Sequence, residues 1–323
     1  MHSLRLISQG DCKLSKVRNW WWFIDRIGNY EAHMHAITKT VMTETTKFQE
    51  VGIMESVSYG KILVLDGDMQ SSQYDEFIYH ESIVQPAMIA HKNPKKILIL
   101  GGGEGATLRE VLRHNTVEKV VMIDIDARLV DICKEFLPEY SQGSFEDKRV
   151  TLITSDALKW LEEHDDKFDV IIADLTDPLP YTPSSGIYSI PFFELLKSHL
   201  GEGGIFSTQS SRVSFIDMHL HCVLYSAIKK VFPNVKTAVV SVPGFDVPWS
   251  FTSAYISSDL MTLTMDEINS RIAERIGDNL KFYDGETHNS IFSLQKYVRQ
   301  TREDFLEGKI VKSTENYEPF YII

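Results

Sequence analysis

A regular alternation of apolar and amphipathic segments between residues 96 and 257 constrains the fold of this chain most. Apolar segments with the length of buried strands lie at Lys96–Leu100, Val117–Ile125, Val150–Thr154 and Phe168–Leu175. A segment with helical periodicity follows each of them. Strands that are apolar throughout are typical of a parallel sheet covered on both faces by helices. The alternation therefore predicts an α/β fold with a doubly wound parallel sheet.

The end of this pattern departs from strict alternation. Strands predicted at Gly204–Thr208 and Val235–Val242 are separated by a helix over Met218–Phe232. The next strand, Phe251–Ser257, follows without a helix long enough to cross over, so we expect it to pair antiparallel. A sheet that ends in this way resembles the Rossmann-like, seven-stranded sheet of methyltransferases.

The N-terminal region has a different pattern. Glu50–Ser58 and Lys61–Leu65 are predicted strands joined by turn residues, which indicates a small antiparallel sheet. A helix predicted over Phe77–Ala90 ends before an Asn-Pro pair that marks a boundary. We expect an N-terminal β-rich domain with a linking helix at 1–92 and a Rossmann-like catalytic domain with C-terminal helices at 93–323.

Composition and charge narrow the possible partners. Hydrophobic residues make up 43% of the chain and charged residues 24%, as in globular proteins. The formal net charge of −12 disfavours nucleic acid and anionic membranes and favours cationic ligands. The apolar runs are too short to span a bilayer, and the start shows no secretory signal. Cys12, Cys133 and Cys222 lack metal-ligand spacing, so we expect a soluble cytoplasmic protein without a metal site.

A glycine-rich turn follows the first strand of the parallel sheet. Gly101, Gly103 and Ala106 meet the G-x-G-x-x-A spacing of nucleotide-binding turns, with a strand before them and a helix after them. Glycine allows the tight turn and the close approach of a ligand to the backbone. Asp124 closes the next strand about 20 residues on, where a carboxylate binds ribose hydroxyls.

Two further carboxylates help to decide whether the ligand is a dinucleotide or an S-adenosyl compound. Asp156, before Ala157 at the end of the third strand, can accept the adenine amino hydrogen or cap the helix that follows. Glu104 lies inside the glycine turn, where it would repel a pyrophosphate and bind an ammonium group. These residues favour an adenosyl compound that carries an amine.

The fourth strand ends in a second acidic pair. Asp174 lies at its carboxyl end, in the crevice where open α/β sheets bind ligands, and Asp177 begins a proline-rich loop. No lysine or arginine occurs from Val170 to Leu196, which suits a cationic ligand. Asp177 is also a residue type that forms turns before proline.

Several blocks together resemble the spermidine-synthase family of polyamine aminopropyltransferases. They occur in the family's order and spacing from Phe48 to Pro178, and more loosely to about Ser258. The blocks are Phe48-Gln49, Leu65-Asp66-Gly67-Asp68-Met69-Gln70, Asp75-Glu76-Phe77-Ile78-Tyr79-His80-Glu81, Gly101-Gly102-Gly103-Glu104-Gly105, Asp124-Ile125-Asp126, Asp156-Ala157 and Asp174-Leu175-Thr176-Asp177-Pro178.

The resemblance implies a role for each matching residue. It implies that decarboxylated S-adenosylmethionine is a co-substrate, that no cofactor or metal is permanently bound, and that 5′-methylthioadenosine leaves. Donor contacts are implied for Gln49, Gln70, Asp124 (ribose), Asp156 (adenine) and Glu104 (aminopropyl nitrogen). Asp174 would be the catalytic base, Tyr79 would hydrogen-bond near the attacking amine, and Asp177 would bind the cationic tail of the acceptor.

Three departures from the diamine-using members leave the acceptor open. His80 stands where they carry glutamine, Phe245 (with Trp249 close behind) where they carry tyrosine, and Glu104 where aspartate is usual. These departures resemble the branches that make thermospermine or accept agmatine or triamines. Putrescine, spermidine and agmatine therefore remain candidate acceptors, with His80, Phe245 and Trp249 at the substrate.

Other interpretations and the assembly state also stay open. An S-adenosylmethionine methyltransferase would share the fold, and a catalytically silent polyamine-binding protein would share the acidic cleft. The resemblance implies a homo-oligomer, a dimer or tetramer. The aromatic run Trp20–Phe23 is expected in the core or in a subunit contact.

Overall fold

An antiparallel sheet of five strands forms the N-terminal part of the protein. The computed structural model describes residues 20–27, 31–178, 182–184, 187–215, 217–256, 262–277 and 280–309, so Cys12 lies outside the described residues. The strands pair in chain order: β1 (Trp21–Ile27), β2 (Glu31–Thr45), β3 (Glu50–Ser56), β4 (Gly60–Leu65) and β5 (Asp68–Ser72). The predicted antiparallel sheet is confirmed, but it has three more strands than the sequence suggested.

A two-residue hairpin joins β4 to β5. Leu65 pairs with Asp68 across the hairpin. The two residues between them, Asp66 and Gly67, have φ of 51° and 89°. Two consecutive positive φ values define the tight turn that matches the twist of antiparallel strands, and Asp-Gly is a favoured pair for it.

The first strand presents large apolar side chains to solvent. Trp21 is 44% exposed, Trp22 51% and Ile24 53%. Trp21 and Trp22 are adjacent in a strand, so their side chains point to opposite faces of the sheet. Neither tryptophan belongs to the core of the chain, and the expected subunit contact stays a prediction.

The second sheet contains seven strands in the order β11-β12-β10-β9-β6-β7-β8. Six run parallel to one another, and the last along the chain pairs antiparallel with β10 and β11. The predicted methyltransferase-type topology is thereby confirmed. The strands are β6 (Lys96–Gly101), β7 (Lys119–Asp124), β8 (Val150–Thr154), β9 (Phe168–Asp174), β10 (Leu200–Arg212), β11 (Asn234–Val242) and β12 (Val247–Tyr255).

Helices cover both faces of this sheet. Successive residues of β6 alternate between two apolar clusters, with Ile97 and Ile99 on one face and Leu98 and Leu100 on the other. This is why the strand reads as apolar throughout. The described residues form α1 (Glu76–Ala90), α2 (Ala106–Leu112), α3 (Ala127–Phe136), α4 (Pro138–Ser141), α5 (Ala157–Glu163), α6 (Ile190–Ser198), α7 (His219–Val231), α8 (Met265–Arg275), α9 (Gly285–Phe292) and α10 (Lys296–Leu306).

Helix α1 packs on the seven-stranded sheet. Its Ile83 carbonyl accepts a hydrogen bond from Ser207 Oγ of β10 at 2.7 Å. Its Glu81 is fully buried and accepts three backbone N–H groups, from Lys281, Phe282 and Tyr283, each at 2.8 Å. The helix thus contacts what we predicted to be the second domain, and the boundary after residue 92 stays a prediction.

Candidate active site

A cleft opens at the carboxyl ends of β6, β7, β8 and β9, beside the N-terminal sheet. It encloses about 900 Å³, including the part open to solvent. Four carboxylates and no basic side chain line it among the described residues. The lining residues are Gln49, Leu63, Leu65, Gln70, Tyr79, Gly101, Gly102, Gly103, Glu104, Ile123, Asp124, Ile125, Leu129, Ser155, Asp156, Ala157, Asp174, Leu175, Thr176, Pro183, Ser184 and Ile187.

The glycine turn forms the floor of the cleft. Gly101 has φ of 77°, and a Cβ there would overlap the backbone carbonyl of Asp174. The Gly102 N–H donates to that same carbonyl at 2.9 Å. A Cβ on Gly103 would lie 3.0 Å from Asp124 Oδ2. Glycine is thus required because the turn runs against the backbone of Asp174 and the carboxylate of Asp124.

Asp124 ends β7 as a buried carboxylate. It is 9% exposed, and its Oδ1 accepts the Asp126 N–H at 2.8 Å. Burial, together with the neighbouring charges of Asp126 and Asp174, raises the pKa of Asp124 to about 7. Gln49 lies beside it and donates from Nε2 to Asp126 Oδ2 at 3.1 Å. The predicted ribose carboxylate therefore titrates near neutral pH.

The other predicted donor contacts lie around the same cleft. Asp156 caps α5 by accepting the Lys159 N–H at 3.0 Å, and it also lines the cleft beside Ala157. The helix-cap and ligand interpretations are therefore compatible for this residue. Gln70 of β5 closes the opposite side and donates to the Asp68 carbonyl at 3.2 Å.

Asp174, at the end of β9, is held by two hydroxyl groups. Tyr79 of α1 donates to its Oδ1 at 2.9 Å, and Thr107 of α2 donates to its Oδ2 at 2.6 Å. Burial and the adjacent Asp174 carboxylate raise the pKa of Tyr79 well above its usual range. Tyr79 is thus a neutral hydrogen-bond donor at physiological pH, and the carboxylate has one defined orientation.

Glu104 lies on the cleft wall with both oxygens engaged. Oε1 lies 2.6 Å from His80 Nε2, and Oε2 accepts from Ser71 Oγ of β5 at 2.5 Å. His80 is only 1% exposed and is not among the described lining residues. It therefore lies behind Glu104, and its expected direct contact with substrate stays a prediction.

Asp177 is half-buried next to the cleft. Gln209 Nε2 donates to its Oδ1 at 3.0 Å, and Ser211 Oγ donates to its Oδ2 at 2.8 Å. Ser211 has φ of 65° at a register shift in β10, which directs its hydroxyl to this carboxylate. Burial raises the pKa of Asp177.

Phe245 and Trp249 form an aromatic cluster behind Tyr79. Phe245 packs edge-on against Tyr79 at 6.1 Å between ring centroids, and Trp249 packs on Phe245 at 5.1 Å. Neither is among the described residues that line the cleft. Their position supports the orientation of Tyr79, and a direct substrate contact stays a prediction.

Sequence reasoning missed four residues that bind the acidic groups. They are hydroxyl and amide side chains outside the recognisable blocks: Ser71, Thr107, Gln209 and Ser211. Thr107 and Ser71 do follow the glycine turn and the Asp-Gly hairpin closely. The closeness of these two residues to the motifs in the sequence could have identified them as part of the site.

Two family models match the parts of the chain that form the two sheets. The spermine/spermidine synthase domain matches residues 76–263, and the spermidine synthase tetramerisation domain matches residues 21–73. The chain belongs to the spermine/spermidine synthase family. The first model contains the whole seven-stranded sheet and the second the five-stranded sheet. This family member is an aminopropyltransferase.

Individual relatives agree with the family assignment. The polyamine aminopropyltransferase of Sulfurisphaera tokodaii is 43% identical over 291 residues, covering 90% of this chain and 95% of that relative. A polyamine aminopropyltransferase of Saccharolobus islandicus is 42% identical over 304 residues, covering 94% of this chain and 98% of the relative. The match therefore extends across both sheets.

Solved structures share the fold at lower identity. A spermidine synthase bound to the transition-state analogue AdoDATO superposes with a TM-score of 0.82 at 28% identity, covering 89% of this chain and 97% of the other. The spermidine synthase of Thermotoga maritima gives 0.80 at 28% identity, covering 93% and 99%. Within the described ranges, no helix is long and apolar enough to cross a membrane.

Proposed function

We propose that the enzyme transfers the aminopropyl group of decarboxylated S-adenosylmethionine to a polyamine acceptor and releases 5′-methylthioadenosine. The observation that carries the proposal is the hydroxyl-held Asp174 carboxylate beside a nucleoside-sized cleft. The acidic lining suits a sulfonium donor and an ammonium acceptor, because opposite charges attract strongly where water is partly excluded. The spermidine synthase that binds AdoDATO supports the proposal.

The donor would lie along the glycine turn. Asp124 would accept from the ribose hydroxyls, and Asp156 from the adenine amino group. Glu104 would bind the aminopropyl nitrogen, close to the floor formed by Gly101 and Gly103. Gln49 and Gln70 would contact the nucleoside from the side of the N-terminal sheet, which explains why both sheets contribute to the cleft.

The chemical step would depend on Asp174. The attacking nitrogen of an alkyl ammonium resembles lysine, whose pKa is about 10.4, so it must lose a proton before it has a lone pair. Asp174 would accept that proton. The nitrogen then bonds to the carbon next to sulfur as the carbon–sulfur bond breaks. The bonding electrons go to sulfur, so the sulfonium becomes the neutral thioether of 5′-methylthioadenosine and needs no acid.

The acceptor would approach from the side of Tyr79 and Asp177. Asp177 accepts two hydrogen bonds already, but a carboxylate has further lone pairs for a cationic tail. Tyr79 is backed by Phe245, which has no hydroxyl group to bind a diamine. We therefore propose spermidine or agmatine as acceptors ahead of putrescine.

The assembly is proposed to be a homo-oligomer formed through the N-terminal sheet. Trp22 and Ile24 are exposed on one face of β1 and Trp21 on the other, and exposed apolar side chains that lie together are of the kind that marks interfaces. The match to a tetramerisation domain supports a tetramer. Light scattering should give a mass of two or four chains, and a monomer at micromolar concentration would contradict this.

The free thiols of Cys133 and Cys222 support the proposed cytoplasmic location.

Product analysis tests the proposed reaction. The purified enzyme would be incubated with decarboxylated S-adenosylmethionine and, separately, with spermidine, agmatine and putrescine. We expect 5′-methylthioadenosine and one aminopropylated amine by mass spectrometry, with putrescine the poorest acceptor. Methylated product from S-adenosylmethionine, with none from the decarboxylated donor, would establish the methyltransferase alternative.

A variant of the base separates catalysis from binding. Asp174→Asn has the same shape but cannot accept a proton from an ammonium, so we expect kcat to fall by at least about 100-fold. Affinity for 5′-methylthioadenosine should change little, because Asp174 does not bind the nucleoside in this proposal. An Asn variant as active as wild type would remove Asp174 from the mechanism.

A further inference from the structure

Two residues that depart from the family pattern lie in direct contact. His80 Nε2 is 2.6 Å from Glu104 Oε1. On the other side of the ring, Nδ1 lies 2.9 Å from Glu76 Oε2 and 2.7 Å from the Glu76 carbonyl. All these partners are acceptors, so both ring nitrogens of His80 must carry a proton. The ring therefore bridges two carboxylates as an imidazolium.

The surroundings favour the charged ring. Burial lowers the pKa of His80, but the adjacent carboxylates of Glu104 and Glu76 outweigh it and raise that pKa well above its usual range. Burial also disfavours ionised Glu76, yet His80 and Arg109 lower the Glu76 pKa to about 2. Arg109 would still compensate Glu76 if His80 were neutral, but the buried Glu104 carboxylate would have only the uncharged Ser71 hydroxyl among its described partners.

The bridge is anchored at its far end. Arg109 of α2 binds Glu76 with two nitrogens, Nη1 to Oε1 at 3.0 Å and Nη2 to Oε2 at 2.8 Å. Arg109 Nη1 also donates to the Tyr140 carbonyl at 2.6 Å. Planar two-point pairs of this kind restrict rotation. Negative and positive side chains therefore alternate from the cleft wall into the core, in the order Glu104, His80, Glu76 and Arg109.

We propose that His80 is a positioning residue that acts through Glu104. The imidazolium on Oε1 and the Ser71 hydroxyl on Oε2 would hold the Glu104 carboxylate at the cleft wall, with its remaining lone pairs free for the primary ammonium of the donor. His80 itself would not touch the substrate. This inference rests on the proposed function.

The geometry makes the two residues interdependent. Aspartate at position 104 is one methylene shorter, so its carboxylate would no longer reach His80 Nε2 and would leave that buried N–H without its acceptor, although Nδ1 would keep Glu76. Glutamine at position 80 can donate from its amide but carries no charge, so Glu104 would lose its compensating cation. Either change alone should disturb the place where Glu104 would bind the donor's ammonium group. Both changes together replace the ion pair by a shorter carboxylate and an uncharged amide donor.

The experiment uses three variants of the full-length enzyme: His80→Gln, Glu104→Asp and the double variant. We expect each single variant to raise KM for decarboxylated S-adenosylmethionine by about tenfold or more. The double variant should have a KM at least about fivefold lower than the product of the two single effects predicts, because the residues act as a pair. Independent, multiplicative effects would overturn the proposal.

5′-Methylthioadenosine provides the matched ligand, because it has the same nucleoside without the aminopropyl group. Its affinity, measured by calorimetry, should stay within about twofold in all three variants. An equal loss for both ligands would mean a merely structural role and would overturn the proposal. His288→Gln is the matched control, because His288 of α9 is also buried and hydrogen-bonds the Tyr283 hydroxyl. The KM of this variant for decarboxylated S-adenosylmethionine should not change.

Nuclear magnetic resonance gives a readout that is independent of turnover. With ¹⁵N-labelled histidine, both His80 nitrogens should show the shifts of a protonated ring at pH 8, and these signals should vanish in His80→Gln. A neutral ring would overturn the inference. Wild-type enzyme that transfers no aminopropyl group would instead overturn the proposed function, so the two failures are distinguishable.

Discussion

Replacing Thr107 by valine should slow aminopropyl transfer by roughly ten- to a hundredfold. Thr107 is fully buried, and its hydroxyl donates to Asp174 Oδ2 at 2.6 Å. A hydrogen bond to a charged group contributes about 1.5–3 kcal/mol, and about 1.36 kcal/mol corresponds to a tenfold change in rate. Valine has the same shape, so the packing is retained while the donor is lost.

The assay is the initial rate of 5′-methylthioadenosine formation between pH 5.5 and 9 for wild type, Thr107→Val and Thr107→Ser. Serine retains the hydroxyl and should stay within about threefold of wild type. Melting temperatures of the variants identify any loss of fold. A valine variant with the wild-type rate would refute the idea that Thr107 orients Asp174.

Three further predictions concern the cleft and its support. Burial raises the Asp124 pKa to about 7 from about 3.9 in an unfolded chain, so folding stability from this group falls as pH rises from about 4 to about 7. The ribose needs the ionised form, so calorimetry should show 5′-methylthioadenosine affinity increasing up to pH 7 and then levelling, with no such rise in Asp124→Asn. Gly101→Ala would push against the Asp174 carbonyl at a φ of 77°, so rate measurements should show more than about a tenfold loss. Glu81→Ala removes the acceptor of three N–H groups, of which the buried one of Tyr283 alone costs about 1–3 kcal/mol when unpaired; urea unfolding should detect this, and a loss below about 1 kcal/mol would contradict that role.

Much of the fold could be predicted because the pattern is local. The central residues of β6 (97–100) and β9 (170–173) are buried and all apolar, so these runs are visible without knowledge of their neighbours. Strands β1 and β2 were missed because most of their residues are exposed or half-buried. Their place in the sheet depends on pairing with another strand, which the residues themselves do not encode. The exposed tryptophans of β1 show the same dependence.

The sequence by itself determined which acidic groups reach the cleft. The carboxyl ends of parallel strands meet at one edge of a sheet, so residues such as Asp124 and Asp174, each ending an apolar run, had to lie together. Only the tertiary structure decided what holds them. Thr107 meets Asp174 across 67 residues, and Ser71 meets Glu104 across 33, through side chains that look like any other hydroxyl in the sequence. The packing of α1 likewise decided that Tyr79 faces the cleft while the next residue, His80, lies behind its wall, because helix residues one apart point about 100° from each other.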